Sequence, residues 1–459
     1  AAAGEAGAPG TEPSTDGWID RRFVTNEEFE AYYKDIMPAD EWDAFMACLR
    51  LPLPISFRFT GGSHAPLTRG LRDYLKKELV PKLATPDGPV LQAVGWYPHE
   101  LAWMADVTRA EFRGRVQEGD EGAARAATVD AADMQLLHKF VRRETDVGNV
   151  SRQELVSMIP PLVLDVRPEH TVLDLCASPG SKTQQLIDMM ESGPGPGPPS
   201  GLVVANDVDL KRCRLLVHQC QRLNMANLLV THHNALTFPS RIAPGLRLAF
   251  DRILCDVPCS GDGTMRKSPD IWKRWSPRKG ADNHRLQLDI ASRAVQLLKP
   301  GGRMIYSTCS LNPVENEAVV CALLRAAGGA LELADVSADL PHLRRAPALT
   351  RWRLRMGGSW FARWDDVPAP VKQGRAPPGA RVVDGVRLVE SMFPPSEEEA
   401  RKFALHRAIR IHPHLQNTGG FFVAVLHKAA DAPVHDGPDP QEAQEDAAAA
   451  APTAADDDD

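Results

Sequence analysis

No stretch of the 459 residues approaches the eighteen or so consecutive apolar residues a membrane helix needs. The Ala/Gly/Glu-rich start also lacks a basic segment followed by an apolar one, so neither a membrane span nor a secretory leader is expected. Cysteine is sparse: eight in a chain of this length do not make a disulfide scaffold. No CxxC pair exists, and Cys213 and Cys220 fit one apolar helix face, so no metal site is expected. The chain reads as soluble and intracellular, with reduced thiols. Lysine and arginine are absent from residues 429–459, which hold ten acids, and from residues 1–20, which hold four. Setting those acids aside turns the formal charge of −7 into +7 for residues 21–428, so the folded part is basic. The first residue is Ala and the last four are Asp, and either end is compatible with a fragment boundary.

The two acidic ends, 1–20 and 429–459, are Ala/Pro/Gly-rich, unable to bury much surface, and expected to be disordered. Between them the chain divides near residue 150. Residues 21–150 carry helical patterns at Asn26–Ile36, Ala39–Arg50 and Leu67–Glu78 around a strand-like run, Ile55–Thr60, which suggests a small α+β domain. Residues 151–428 alternate strand, turn and helix. Ser151 with Glu154 has the spacing of a capping box, for a helix running to the Pro160-Pro161 break. Strands are expected at Thr171–Cys176, Leu202–Asn206, Leu228–His232, Arg252–Asp256 and Arg303–Thr308. Helices are expected at Ser181–Met190 and after Asp209, where Leu210, Cys213, Val217, Cys220 and Leu223 recur at helical spacing. This alternation predicts an α/β fold with a mostly parallel sheet and a ligand site at the strand carboxyl ends.

Chemistry-bearing residues gather at those ends. The turn Cys176-Ala177-Ser178-Pro179-Gly180-Ser181-Lys182 joins the first strand to its helix, where backbone can approach a ligand and the helix N-terminus faces it. Asp207 ends the second strand, where an acid can accept from both hydroxyls of a ribose. Together they predict a nucleoside cofactor. A nucleotide-triphosphatase loop is rejected, because the adjacent Gly-Lys and the earlier Gly are both missing. Asp256 and Cys259 are displayed on a Pro/Gly-rich loop after the fourth strand, and Cys309 ends the fifth. Cys48, Cys176, Cys213, Cys220, Cys255 and Cys321 default to structural roles.

Two thiols, a carboxyl group and a nucleoside cofactor suit methylation at carbon 5 of cytosine. That carbon becomes nucleophilic only when a thiolate adds to carbon 6 and the resulting enamine pushes electrons toward it. The attacking thiol must be partly ionised, and Lys182, opening the first helix, is placed to bias it.

These segments resemble the Nop/Sun (NSUN) family of S-adenosyl-L-methionine-dependent RNA cytosine-5 methyltransferases, most of all the branch that methylates tRNA at several cytosines. The resemblance rests on Arg58 with Thr60, the 148–154 segment with Ser157-Met158, Leu173–Thr183, Ala205–Asp209, Asp256–Thr264, Tyr306–Pro313, and Arg410–His414 with Thr418–Phe422. It implies a class I (Rossmann-like) methyltransferase sheet behind a small N-terminal RNA-binding α+β domain. It further implies Cys309 as nucleophile, Cys259 as the group assisting product release, and Asp256 at the cytosine and near the cofactor. The 176–182 turn would line the methionine portion, with Cys176 contributing mainly backbone, and Asp207 would hold the ribose. Where the family usually has Asp, this chain has Asn234, whose side-chain carbonyl can still accept from the adenine amino group. The nearest branch carries a long additional C-terminal RNA-binding region, whereas this chain is acidic after residue 428. The implied partner is tRNA, with a monomeric protein located in the nucleus, including the nucleolus, and a cytoplasmic pool as the alternative. Ribosomal or messenger RNA as substrate, and an RNA-binding scaffold without catalysis, are the competing readings. Arg266, Lys267, Lys273 and Arg274 with Trp272 and Trp275 form a basic and aromatic mixture that can hold phosphate and unstacked bases, or equally a solvated loop over core tryptophans.

Overall fold

Residues 24–151 supply α1 (Glu27–Lys34), α2 (Trp42–Arg50), α3 (Pro66–Tyr74) and α4 (Ala131–Asp146). A four-stranded antiparallel sheet accompanies them in the order β2 (Leu91–Ala93), β3 (Ala102–Ala105), β1 (Ile55–Phe59), β4 (Val150–Ser151). The computed structural model describes residues 24–63, 65–86, 88–113, 129–192, 197–221, 226–243, 246–373 and 388–429. The acidic ends expected to be disordered therefore lie outside the described residues, apart from Ala429.

Helix α1 starts because the Asn26 side chain accepts from Phe29 N at 2.9 Å, closing the orphan donors of its first turn. Its buried face, Phe29, Tyr32 and Tyr33, repeats at three and four residues and packs on Trp272 and Trp275, with Phe29 ring centroids 5.1 and 5.2 Å from theirs. The first two helices thus dock on a loop of the second half of the chain, in one apolar cluster with Met265 and Leu311. The small sheet is joined to that half by the buried ion pair Arg58–Asp188.

The second half alternates β5 (Thr171–Asp174), α5 (Ser181–Glu191), β6 (Leu202–Asp207), α6 (Leu210–Cys220), β7 (Leu228–His232), β8 (Phe250–Asp256), α7 (Arg278–Leu297), β9 (Leu298–Thr308) and α8 (Glu317–Ala327). After these come β10 (Leu331–Leu333), β11 (Ile409–Ile411) and β12 (Phe421–Lys428). The eight-stranded sheet runs β10-β12-β9-β8-β5-β6-β7, with β11 also on β12. Strands β5 to β9 are parallel to their neighbours, and β12 is antiparallel to all three of its partners. Because β5 is central, with β6 and β7 on one side and β8 and β9 on the other, the loops leaving the strand carboxyl ends diverge and open a crevice there.

The helix expected from Ser151 does not form. Ser151 belongs to β4 and its hydroxyl donates to Gln184 Oε1 at 3.1 Å, so no side chain caps the short 3-10 turn at Leu155–Met158. Pro160 and Pro161 sit in the first turn of Ile159–Val163, where a missing N–H costs nothing, and so begin a helix instead of ending one. Asp209 does cap α6, accepting from Arg212 N at 2.9 Å, and Cys213 and Cys220 face inward on that helix.

Candidate active site

The parallel register fixes the site. Asp256 on β8 lies opposite Ser307 on β9, so the loops that leave these strands emerge side by side. Cys259 Sγ and Cys309 Sγ are 3.3 Å apart although fifty residues separate them in sequence. Gly263 zips the loops together. Its N–H donates to Cys309 O at 2.9 Å and its carbonyl accepts from Gly420 N at 2.7 Å. A Cβ on Gly263 would come 2.3 Å from Gly420 O, so only glycine allows this approach.

Lys182, in the first turn of α5, donates to Asp256 Oδ2 at 2.7 Å, and Ser307 Oγ donates to Asp256 Oδ1 at 2.7 Å. The lysine side chain is 14% exposed and its ammonium lies 5.4 Å from the centre of the Phe421 ring. It is therefore not a solvated first-turn lysine. Burial alone would lower its pKa, but the neighbouring Asp256 carboxylate outweighs that and holds the ammonium above the ordinary lysine value. Cys309 lies within electrostatic reach of the same ammonium. The Cys259 thiol is pushed well up, first by its contact with Cys309, then by burial and the charges of Glu315 and Asp256. The two sulfurs thus sit in unequal fields. Burial pushes the Cys176, Cys255 and Cys321 thiols up as well, which leaves these as poor nucleophiles.

The turn from Cys176 to Ser181 wraps the end of β5 and leans on β6. Ala177 N donates to Asn206 O at 2.8 Å, Ser178 N to Asp207 Oδ2 at 3.2 Å, and Arg212 bridges Ser178 O at 2.9 Å and Asp207 at 3.2 Å. The Ser178–Pro179 peptide is cis, and Gly180 caps α5 with φ 105°. A Cβ there would lie 2.7 Å from Leu216 Cδ1, so this glycine also lets α5 pack on α6. Asn234 is exposed at the end of the loop after β7, and its Oδ1 already accepts from Leu236 N at 3.0 Å, leaving one lone pair for a ligand. The donor set along the crevice fits a nucleoside: a carboxylate beside a backbone turn, an amide one strand further on, and a helix N-terminus between them.

The basic and aromatic group after the Cys259 loop divides. Arg266, Trp272 and Trp275 are 1%, 1% and 3% exposed. Arg266 spends its donors on the carbonyls of Leu51, Pro52 and Thr418 and on Asn417, and the tryptophans fill the floor under α1. These three are structural and cannot meet RNA, because the loop folds back under the N-terminal helices. Lys267, Lys273 and Arg274 remain exposed.

Two acids were not legible as site residues. Asp262 accepts from Tyr33 Oη, from Trp275 Nε1 at 2.9 Å and from Leu311 N at 2.7 Å, anchoring the Cys259 loop to α1. Glu315 lies beneath both cysteine loops. The only hint of it in the sequence is that each of the two cysteines is followed by a serine. Among the described residues one group has metal-ligand spacing: Glu41 Oε2 lies 3.5 Å from His412 Nδ1 and 3.1 Å from His414 Nε2, and no CxxC-type pattern announces it.

The family model described as 16S rRNA methyltransferase RsmB/F matches residues 161–341. The multisite-specific tRNA:(cytosine-C(5))-methyltransferase of Saccharomyces cerevisiae is 42% identical over 421 residues, which is 89% of this chain and 56% of that protein. The tRNA (cytosine(49)-C(5))-methyltransferase of Pyrococcus abyssi is 31% identical over 287 residues, 62% of this chain and 72% of the archaeal protein. The chain spans only 53–59% of the length of the yeast and fly relatives it matches. Among solved structures, NSun6 from Pyrococcus horikoshii with SFG superposes with a TM-score of 0.56 at 18% identity, over 89% of this chain and 99% of that one. At that identity the likeness is one of fold, an α/β Rossmann-like methyltransferase.

Proposed function

Since the chain belongs to the RsmB/F (Nop/Sun) family of RNA methyltransferases, we propose that it transfers a methyl group to carbon 5 of cytosine in tRNA, with Cys309 as the attacking thiol. The observation that carries this reading is the 3.3 Å approach of two thiols beside the 2.7 Å Lys182–Asp256 pair, at the carboxyl end of a class I sheet. When bound, S-adenosyl-L-methionine supplies an electrophilic methyl on a sulfonium. The 176–182 backbone, Asp207 and Asn234 are the groups that would hold it.

The Lys182 ammonium stabilises negative charge on the Cys309 sulfur and so favours the thiolate that adds to carbon 6. Asp256, held by Lys182 and Ser307, presents its carboxyl group toward the ring, and the lysine is the proton reservoir for the ring nitrogen as the thiolate adds. After methyl transfer the proton on carbon 5 must leave for the Cys309 bond to break. Cys259, 3.3 Å from Cys309, gives its thiol proton to the departing Cys309 sulfur, and the thiolate so formed takes the proton from carbon 5, which leaves both thiols as they began. The target base must leave its stack to reach the two sulfurs, which favours loops and weakly paired sites in the RNA. The sequence likeness to tRNA enzymes across 89% of the chain favours tRNA over ribosomal RNA.

Cys309→Ala should abolish transfer to unfractionated tRNA, and Cys259→Ala should accumulate a denaturation-resistant RNA–protein adduct, read by gel shift and by bisulfite sequencing. Adduct in the Cys309→Ala protein at the level of Cys259→Ala would reject the assignment of roles. Methylation of ribosomal RNA but not tRNA would reject the substrate.

A further inference from the structure

The serines that follow the two cysteines, Ser260 and Ser310, end on one carboxylate. Glu315 is fully buried just before α8. Its Oε1 accepts from Ser260 N at 2.8 Å, Asn283 Nδ2 at 2.9 Å and Gln287 Nε2 at 3.0 Å. Its Oε2 accepts from Ser260 Oγ at 2.5 Å and Ser310 Oγ at 2.6 Å. Three of the five partners, Ser260 N, Asn283 Nδ2 and Gln287 Nε2, can only donate and all meet Oε1, while the two hydroxyls that meet Oε2 also lie 3.0 Å from each other. Burial, and then the nearby Asp262, hold its pKa above the ordinary glutamate value, with the hydrogen bonds from Ser260, Ser310 and Asn283 opposing that rise only in part. The amides come from α7, one serine from the loop after β8 and the other from the end of β9. One side chain therefore ties together the three elements that frame the thiols.

We infer that Glu315 is a positioning residue for the methyl transfer proposed above: by clamping Ser260 and Ser310 it holds the sulfurs of Cys259 and Cys309 in register across the base pocket. The inference rests on that functional reading for its catalytic consequence, but the clamp itself can be measured without it. The clamp is also asymmetric. Glu315 adds to the negative field at Cys259, whereas Cys309 lies within electrostatic reach of the Lys182 ammonium.

Glu315→Gln replaces one acceptor oxygen with an amide that faces donors, and Ser260→Ala with Ser310→Ala removes the two clamped hydroxyls while keeping Glu315 and its bond from the backbone N–H of residue 260. In both proteins kcat for tRNA methylation should fall about tenfold or more, ~1.4 kcal/mol or more of barrier. KM for tRNA and the affinity for S-adenosyl-L-methionine should stay within about threefold. The fraction of protein trapped as RNA adduct should rise, because release depends on the spacing more than attack does. Glu315→Asp, which keeps the charge, should restore part of kcat. A purely structural carboxylate predicts the opposite, loss of adduct and turnover together.

The second readout needs no activity. Diamide oxidises the two thiols to a disulfide, taking up their two hydrogens to become a hydrazine, and mass spectrometry follows closure of the Cys259–Cys309 bond. Closure should slow about tenfold or more in the Glu315→Gln and double-serine proteins. Closure and kcat both within about twofold of the parent in the double-serine protein would overturn the inference, even if Glu315→Gln fails to fold. Slowed closure in a protein whose parent methylates no RNA would uphold the clamp and sink the functional reading instead.

Discussion

Asp174 ends β5 with 1% exposure, and its main protein partner is the Thr183 hydroxyl at 2.7 Å. Burial pushes its pKa from the ordinary carboxylate range up to about 7, with the Thr183 hydrogen bond and Lys182 resisting. The native state therefore holds this proton in a pH range where the unfolded chain has lost it. The folded form is favoured below the unfolded pKa and gives up stability as pH rises toward 7, after which the loss levels off. Asp174→Asn removes this loss. Its stability relative to the parent should grow by up to about 4 kcal/mol between pH 4 and 7 and then stay constant, as measured by urea unfolding across that range. A difference that is flat with pH would show that Asp174 is ionised throughout. At this scale the sequence was informative where the chemistry is displayed on a turn. Cys259 follows a proline, Lys182 opens a helix, Asp256 and Cys309 stand at strand ends, and the four meet in one place. It left two readings open for Arg266, Trp272 and Trp275, and the structure takes the one with core tryptophans and buries Arg266 with them, because residue type alone does not say which side of a loop is covered.

Among elements, the joint between the small sheet and α5 is a buried charge pair. Arg58 is 1% exposed on β1, and besides Asp188 it donates to Gln153 Oε1 at 2.9 Å, while Asp188 accepts from Gly61 N at 3.1 Å. Removing one partner strands the other charge away from water, so Arg58→Ala should cost about 3–5 kcal/mol of stability. Arg58→Met with Asp188→Leu should recover most of it, and a double-mutant cycle in urea checks both. A cost below about 0.5 kcal/mol for Arg58→Ala would mean that the two parts are held by their apolar contacts alone. Helices with a capping side chain, such as α1 and α6, were legible because their start signals are local. The antiparallel strands β10, β11 and β12 were not read as strands. Two are three residues long, and all three are defined by pairing with each other and with β9, at separations no local pattern carries. The docking of α1 and α2 against residues 265–275 escaped for the same reason.

For the molecule as a whole, the surplus positive charge of residues 21–428 predicts an RNA affinity that falls steeply with salt. Lys273 and Arg274 are exposed beyond the Cys259 loop, so Lys273→Glu with Arg274→Glu should weaken tRNA binding about tenfold at 0.15 M salt. It should also flatten the dependence of log affinity on log salt, while S-adenosyl-L-methionine binding stays unchanged. Filter binding across a salt series reads both, and an unchanged slope would remove this face from the RNA path. By itself the sequence determined the α/β alternation, the turn and strand-end residues suited to a nucleoside, and the pair of cysteines with the chemistry they permit. These follow from local spacing and from what each side chain can do. Only the tertiary structure decided that the cysteines meet at 3.3 Å, that Lys182 lies against Asp256, and that Glu315 grips both loops. Such contacts depend on the strand order β5-β8-β9 and its parallel register, which arise from burying the whole sheet at once and not from any short stretch of chain.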